Sequence, residues 1–469
     1  MLSGIQTFGE SLSEWMEEKG LTPSSLAAFT RGTRDATIAR LMHDQLDYKR
    51  CARYITELSE TYPDIDEDTL KRLRMSVDVN RYGKERFLAK QNFQRMITDD
   101  IVHGRPEGTN ADVLCEKLFS WSESMSFKLL CMGLTDREPI HFLKLVCEKK
   151  KDIHILHFFD REYVGSVSGL LAETLPLAFN PEYELYEIGS QRRAMMNNVL
   201  IARREDGAHL LIVYDGDKFS TMNVSKDTEL FGFCISVLFS RASAPKKINC
   251  HFSYNSPKAF EDFLTHCLSL EKDKAIYQIK NEIGLEYVPV KILVENFSAW
   301  AQETDERFLP HIGDLKGVFD QRYENLQKKT EPTYLIMTKR GMIDFAETGM
   351  MKDHPFCLFP FTPDQRREIL RNLLKAAEDC ASFTPLVFSA DDITLNYSFI
   401  GYSRECMLVC TANANYDLSD YTEIILDSAE LAGQFADYVT GILAKYHVMS
   451  KKAGLDFIAS LLKIIPDEN

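Results

Sequence analysis

The sequence predicts a multidomain chain with a small all-α bundle at its N-terminus and a large α/β or α+β body behind it. Three observations carry this. The chain has 469 residues, more than one hydrophobic core usually holds. Up to about residue 80 the apolar residues recur at spacings of three and four, the period of helices that pack by one face. From Ala111 onward, short apolar runs such as FKLLCMG and IHILHFF alternate with helix-period segments, as strands and helices do in a mixed sheet protein. The expected divisions are 1–80 for the head, 81–110 for a connector helix and linker, 111–300 for an α/β domain, and 301–469 for a second α/β domain or a continuation of the body.

Within the head, Phe8, Leu12, Trp15 and Met16 make one apolar stripe on a first helix, and Gly20 suits the left-handed position after it. Thr22 reads as an N-cap with Pro23 at the first helical position. The second helix, Ser24 to Thr30, is expected to bury Leu26, Ala27 and Phe29. Arg31-Gly32 is the turn, and Thr33 or Asp35 caps a third helix that faces inward with Ile38, Leu41 and Met42. A fourth helix runs from about Tyr48 to Tyr62. A fifth follows Pro63, opening with acids and continuing to Lys71, Arg72 and Arg74, the order that a helix dipole favours.

A tight turn between the second and third of five short helices is helix-turn-helix geometry, so the head is an all-α helix-turn-helix bundle. The segments EEKGLTPSSLAAFT and TIARLM resemble the phage-repressor-like (xenobiotic-response-element) helix-turn-helix family over roughly the first 75 residues. The turn between Leu26 and Ile38 is one residue longer than that family's usual spacing. The resemblance implies DNA recognition by the third helix in the major groove. Asp35, Ala36 and Arg40 are then expected at base edges, and Arg34 and Thr37 at phosphate or base. Ser24 and Ser25, at the start of the second helix, and Arg31 in the turn complete the expected DNA contacts.

Charge fits that division. The whole chain carries −15, which argues against a protein that coats nucleic acid. Residues 1–90 hold 14 Lys+Arg against 15 Asp+Glu, and Lys19 to Arg53 holds seven basic residues against three acids. A basic stretch on an acidic chain lets the head approach phosphate while the body is repelled. Arg81 to Ile97 reads as one amphipathic helix, and HGRPEGTN, His103 to Asn110, as a domain boundary.

The body alternates helical and strand-like runs, with a three-stranded meander in VLIARREDGAHLLIVYDGDKFSTMNV turning at Asp206-Gly207 and Asp215-Gly216. The first unit, from ADVLCEKLF to ILHFFD, faintly resembles the opening of phospholipase-D-like domains, of which some regulators carry degenerate, non-catalytic versions. That family's chemistry needs H-x-K, and none of the 11 histidines is followed by Lys at that spacing.

Other enzyme signatures are absent: the sequence has no G-x-x-x-x-G-K-[ST], G-x-G-x-x-G or H-E-x-x-H. GSVSG, Gly165 to Gly169, places Val167 where a nucleophile elbow needs Ser. His154 and His157 are three apart, hence on opposite faces of a strand, and read as partly buried histidines at a strand edge. The histidines and cysteines show no zinc spacing, so no metal or cofactor is expected. The 11 cysteines lack C-x-x-C and read as reduced core residues. No apolar run spans a bilayer and no export signal opens the chain, so the expectation is cytoplasmic with no membrane partner. If the body senses a small molecule, Asp160 and Arg161, at the end of a predicted strand, are the first place to look.

The reading is a sequence-specific DNA-binding transcriptional regulator with a sensing or dimerising body. Its partners are double-stranded DNA, a small-molecule or protein effector, and a second copy in a homodimer. The rivals are an enzyme of unrecognised type, or a protein-binding scaffold, with the same head. Turnover screening of the body separates the first rival, and DNA selection with the head separates the second.

Overall fold

The computed structural model describes residues 5–30, 33–62, 65–98, 110–135, 137–150, 153–160, 167–188, 199–215, 218–224, 245–252, 256–352, 359–411 and 423–466. The expected linker 103–109, Arg31, Arg161, His354 and Cys357 lie outside them. The chain divides into two compact units, Met1–Asn92 and Phe93–Asn469, and is a mixed α/β multidomain protein.

The first unit is helical throughout its described residues. Its helices are α1 (Phe8–Glu18), α2 (Pro23–Ala27), α3 (Asp35–Met42), α4 (Tyr48–Thr61), α5 (Glu67–Tyr82) and the start of α6 (Lys84–Thr98). Thr7 and Glu10 cap α1 reciprocally, satisfying two N–H groups the helix leaves open. Phe8, Leu12, Trp15, Met16, Leu26, Ile38, Leu41, Ile55, Leu58 and Leu73 form one core. Two elements meet closely at Gly9, where a Cβ would stand 2.5 Å from the Met42 carbonyl oxygen. Asp44, just past α3, seals that meeting. Its carboxylate accepts from the Gly9 N–H at 2.8 Å and from Asn80 Nδ2 at 2.7 Å. Phe29, expected inside, is 45 % exposed and rests edge-on against Tyr62, because α2 ends two residues before it.

The second unit contains two seven-stranded sheets. The first is built from β1 (Phe127–Met132), β2 (Ile155–Asp160), β3 (Tyr183–Ile188), β4 (Val199–Arg204), β5 (His209–Asp215), β6 (Lys218–Val224) and β7 (Lys246–Lys247). Its order is β6-β5-β4-β1-β2-β3-β7. Helices α7 (Asn110–Ser122), α8 (Arg137–Lys149) and α9 (Val167–Ala178) accompany it. The second is built from β8 (Asn249–Phe252), β9 (Ile276–Lys280), β10 (Thr333–Met337), β11 (Phe383–Val387), β12 (Tyr397–Tyr402), β13 (Cys406–Thr411) and β14 (Glu423–Leu426). Its order is β11-β10-β9-β12-β13-β14-β8. Its helices are α10 (Pro257–Glu271), α11 (Val290–Thr304), α12 (Ile312–Lys328), α13 (Lys339–Thr348), α14 (Pro363–Asp379), α15 (Ala429–Tyr438) and α16 (Lys451–Leu461).

The two sheets repeat one plan. In each, three parallel strands are followed by an antiparallel meander that starts beside the first strand. The registers correspond as well. Leu129 pairs with Ile155 and Ala202, and Ile276 pairs with Thr333 and Tyr402. The backbone confirms the match. Leu129 N–H donates to the residue just before β2, His154, and Ile276 N–H to the residue just before β10, Pro332. This duplication has no counterpart in the sequence that pattern reading detects, since the paired positions differ in side chain. The changeover between sheets falls at Ile248, so residues 249–300 go with the second sheet rather than with the first.

One extended segment joins the sheets. Lys246–Lys247 pairs antiparallel with β3, and Asn249–Phe252 pairs antiparallel with β14. Ile248, fully buried, donates its N–H to Leu185 O at 2.8 Å and accepts from Asp427 N–H at 2.7 Å. The Asn249 side chain then acts as a piece of strand. Its Oδ1 accepts from Leu185 N–H at 2.8 Å and its Nδ2 donates to Tyr183 O at 2.9 Å.

His157 differs from expectation. It lies on β2, an interior strand, and is fully buried, with Nδ1 2.7 Å from the Tyr183 hydroxyl. The strand-edge expectation fails because a third parallel strand, β3, covers that side. His154 stays near the surface, 3.9 Å from Glu184.

Two outcomes follow from this packing. Asn249→Leu leaves the Leu185 N–H and Tyr183 C=O unsatisfied in a buried place, so the body should lose about 2–4 kcal/mol of stability, read by urea unfolding. Burial holds His157 down at about 4, against about 6.5 in an unfolded chain. Between those values the unfolded state binds the extra proton, so stability falls as pH falls. The loss is about 1.4 kcal/mol per pH unit below about 6.5. Wild type should lose more stability between pH 7 and 5.5 than His157→Gln does, and equal losses would show that His157 does not govern the acid limb.

Candidate nucleic-acid interface

Helix α2 and helix α3 with its N-cap carry the described residues that the sequence singled out as DNA contacts. Thr22 caps α2, and its partner Ser25 is spent on that cap. Ser25 Oγ accepts from Thr22 N–H at 2.8 Å and donates to Thr22 O at 2.9 Å. Ser24 is exposed. Helix α2 stops at Ala27 rather than at Thr30, because the chain turns there. Thr30, buried, donates its hydroxyl to Thr33 O at 3.1 Å. Thr33 in turn donates its hydroxyl to Glu57 Oε2 on α4 at 2.7 Å. Thr33 is thus tied both to Thr30 and to α4.

Helix α3 starts one residue from where either expected cap would put it. Arg34 holds the N-cap position with no side-chain cap bond. Asp35, the first helical residue, accepts from Ala36 N–H at 2.7 Å. Inward, Ile38 and Leu41 are buried and Met42 is half-buried. Outward, Arg34, Asp35, Ala36 and Arg40 are exposed and Thr37 is half-buried. Ser24, Ala27, Thr30, Thr33, Arg34 and Asp35 line an open groove. Asp35 is the only acid among these outward residues, and its carboxylate already faces the helix N-terminus.

The head's cations differ in ion pairing, and on α4 Arg50 lies 3.6 Å from Asp47. Arg72 lies 3.3 Å from Glu14, Arg74 3.1 Å from Glu67, Lys84 2.9 Å from Glu10 and Lys90 2.7 Å from Asp78. Arg34, Arg40, Lys49 and Arg53 are exposed and form no ion pair among the described residues. Lys19, Lys71 and Arg86 are likewise unpaired but stand singly on other elements. Lys49 and Arg53, i and i+4 on α4, were not assigned as contacts from sequence. Four residues apart, they share one face of that helix.

In the body, Asp160 is buried at the end of β2, and its expected partner in effector binding, Arg161, lies outside the described residues. The second half also encloses charge. Arg322 on α12 donates from Nε to Glu271 Oε2 at 2.8 Å and pairs a second time with Oε1. It also stands 3.9 Å from Glu286. Burial brings the neighbouring Lys329 amine down to about 8. At the equivalent strand positions of the first half stand Leu129 and Cys131 where the second has Ile276 and Gln278.

No family model matches the chain, and no curated protein matches it. Among solved structures, phosphatidylserine synthase from Haemophilus influenzae Rd KW20 is similar at 10% identity, covering 81% of this chain and 96% of that one, with a TM-score of 0.26. Polyphosphate kinase from Porphyromonas gingivalis is similar at 9% identity over 76% and 54%, with a TM-score of 0.22. Yeast tyrosyl-DNA phosphodiesterase is similar at 10% identity over 68% and 86%, with a TM-score of 0.19. Likenesses at these scores carry no conclusion about activity. Among the described residues no helix is long and apolar enough to cross a membrane.

The Thr33–Glu57 bond gives the interface its own test. Thr33→Val removes the donor and should cost the head about 1 kcal/mol in chemical unfolding, and an unchanged midpoint would show that the bond does not hold the turn.

Proposed function

We propose that this chain is a sequence-specific DNA-binding transcriptional regulator whose head reads DNA and whose body senses an effector or dimerises. The observation that carries the reading is that Arg34 and Arg40 of α3 and its N-cap, and Lys49 and Arg53 of α4, are exposed and form no ion pair among the described residues, on a chain of net charge −15. Elsewhere in the head Arg72, Arg74, Lys84 and Lys90 have carboxylate partners, and Lys19, Lys71 and Arg86 stand singly. A face that keeps its cations unpaired is available to a polyanion, with counterion release as the driving force. Within that face Ala36 and Arg40 are the base readers, Arg40 through two parallel donors to guanine and Ala36 against a thymine methyl. Arg34 at the start of α3, with Lys49 and Arg53, serves the phosphates. Two heads in a homodimer reach two half-sites about one DNA turn apart.

The test is DNA selection with the full chain, followed by binding at several salt concentrations. Arg40→Ala should cost about 1–3 kcal/mol on the selected site and relax choice at one base pair. Arg34→Ala should weaken binding to all sequences and reduce the salt slope by about one. Failure to enrich any sequence, or unchanged affinity in both variants, would overturn the reading.

A further inference from the structure

We propose that Glu261, His311 and Asp314 form a binding site for a divalent transition-metal ion of the zinc class in the second half of the body. Their donor atoms all lie within 4.8 Å of one another. Glu261 comes from α10, Asp314 from the first turn of α12, and His311 from the 3-10 turn Glu306–His311 that leads into α12. Two stretches of chain far apart in sequence therefore meet here, one bringing Glu261 and the other His311 and Asp314, three residues apart.

The lone pairs there are available. The His311 and Asp314 side chains form no hydrogen bond or ion pair among the described residues. Glu261 meets only Lys258, at 3.6 Å, and that ammonium sits closer to Asp262, at 2.9 Å. Two carboxylates brought together without a cation repel, so the arrangement calls for positive charge between them. The imidazole decides which kind. Mg2+ and Ca2+ prefer oxygen shells, whereas zinc and its neighbours take imidazole together with carboxylate.

Zinc bonds of about 2.0–2.2 Å put tetrahedral donors roughly 3.4 Å apart. The donors would have to draw in from their present spacing to reach that distance. Three protein donors leave a fourth position for water or a small ligand. The ion would also clamp α10 to the start of α12. This inference is independent of DNA binding by the head.

The experiment uses the full chain, stripped with a chelator and titrated with Zn2+ by calorimetry and with Co2+ by absorption. One Zn2+ per chain is expected, with a rise in melting temperature. His311→Gln and Asp314→Asn should each weaken binding at least about tenfold and abolish the rise. Co2+ should show no thiolate charge-transfer band. Absence of binding, binding unchanged in both variants, or a thiolate band would each overturn the site. Should His311→Gln unfold, Asp314→Asn and Glu261→Gln decide the matter in its place. An imidazolium that alone bridges the two carboxylates would appear as a protein with no Zn2+ affinity, which also overturns the site.

Discussion

The body depends on one side chain that behaves as backbone. Where the chain leaves the first sheet for the second, it runs out of ladder on one side before it gains it on the other. Asn249 fills that gap by offering β3 an amide with the same donor and acceptor as a peptide group. Ile248 beside it bonds to β3 in one sheet and to the residue after β14 in the other. A buried edge with unmet N–H and C=O groups is costly, so a duplicated pair of sheets needs such a joint if one chain is to make both. Few residue types can supply it: Asp lacks the donor, and Gln carries its amide one bond further out.

The head has its own fixed point. Asp44 adopts a left-handed backbone, φ 51°, which only a few residue types tolerate well. That conformation lets its carboxylate reach back to the start of α1 and across to Asn80 on α5. The close approach at Gly9 and the cap by Asp44 therefore hold three helices from one corner, leaving α3 and α4 to present their outer sides. On α5 and α6, Arg72, Arg74, Lys84 and Lys90 are matched by carboxylates of the head, so the charge the head presents is set as much by where its acids are as by where its bases are.

How much of this was legible in the sequence follows from the range of each interaction. Helix α4, the β1 and β2 runs and the meander were readable because their patterns are local: Ile55 and Leu58 fall on one helical face, and Asp206-Gly207 marks a turn. The outward placement of Arg34, Asp35, Ala36 and Arg40 was readable for the same reason, since Ile38 and Leu41 fix the inward side of α3. The early end of α2 was not, because Phe29 is apolar yet stays 45 % exposed, edge-on against Tyr62. His157 was misplaced because a strand's position in its sheet is a long-range property, and β3 closes over it from 26 residues away. The duplication was hidden for a related reason: register is carried by backbone hydrogen bonds, which no side-chain pattern records. Glu261 with His311 and Asp314 lay 50 residues and more apart, beyond any spacing rule.

The two halves share a backbone plan but not an interior, and that difference locates where the body has specialised. In the first half the helix-covered side of the sheet is apolar around Leu129, Ile155 and Leu185, with His157 kept neutral by burial. In the second half the same side holds Arg322 bonded to Glu271, with Glu286 close by and Gln278 bonded to Glu286. A buried ion pair repays its desolvation only when geometry and further hydrogen bonds are good, and apolar packing of equal volume would often be at least as stable. Stability alone therefore does not explain why one copy has charge where the other manages without it. What the network does supply is position. Glu271 ends α10 and Arg322 lies on α12, so their bidentate pairing fixes these two helices along their length as well as across. Those are the helices that bring Glu261 and Asp314 together, and a site assembled from separate elements needs that kind of fixed spacing to keep its donors within reach of one ion.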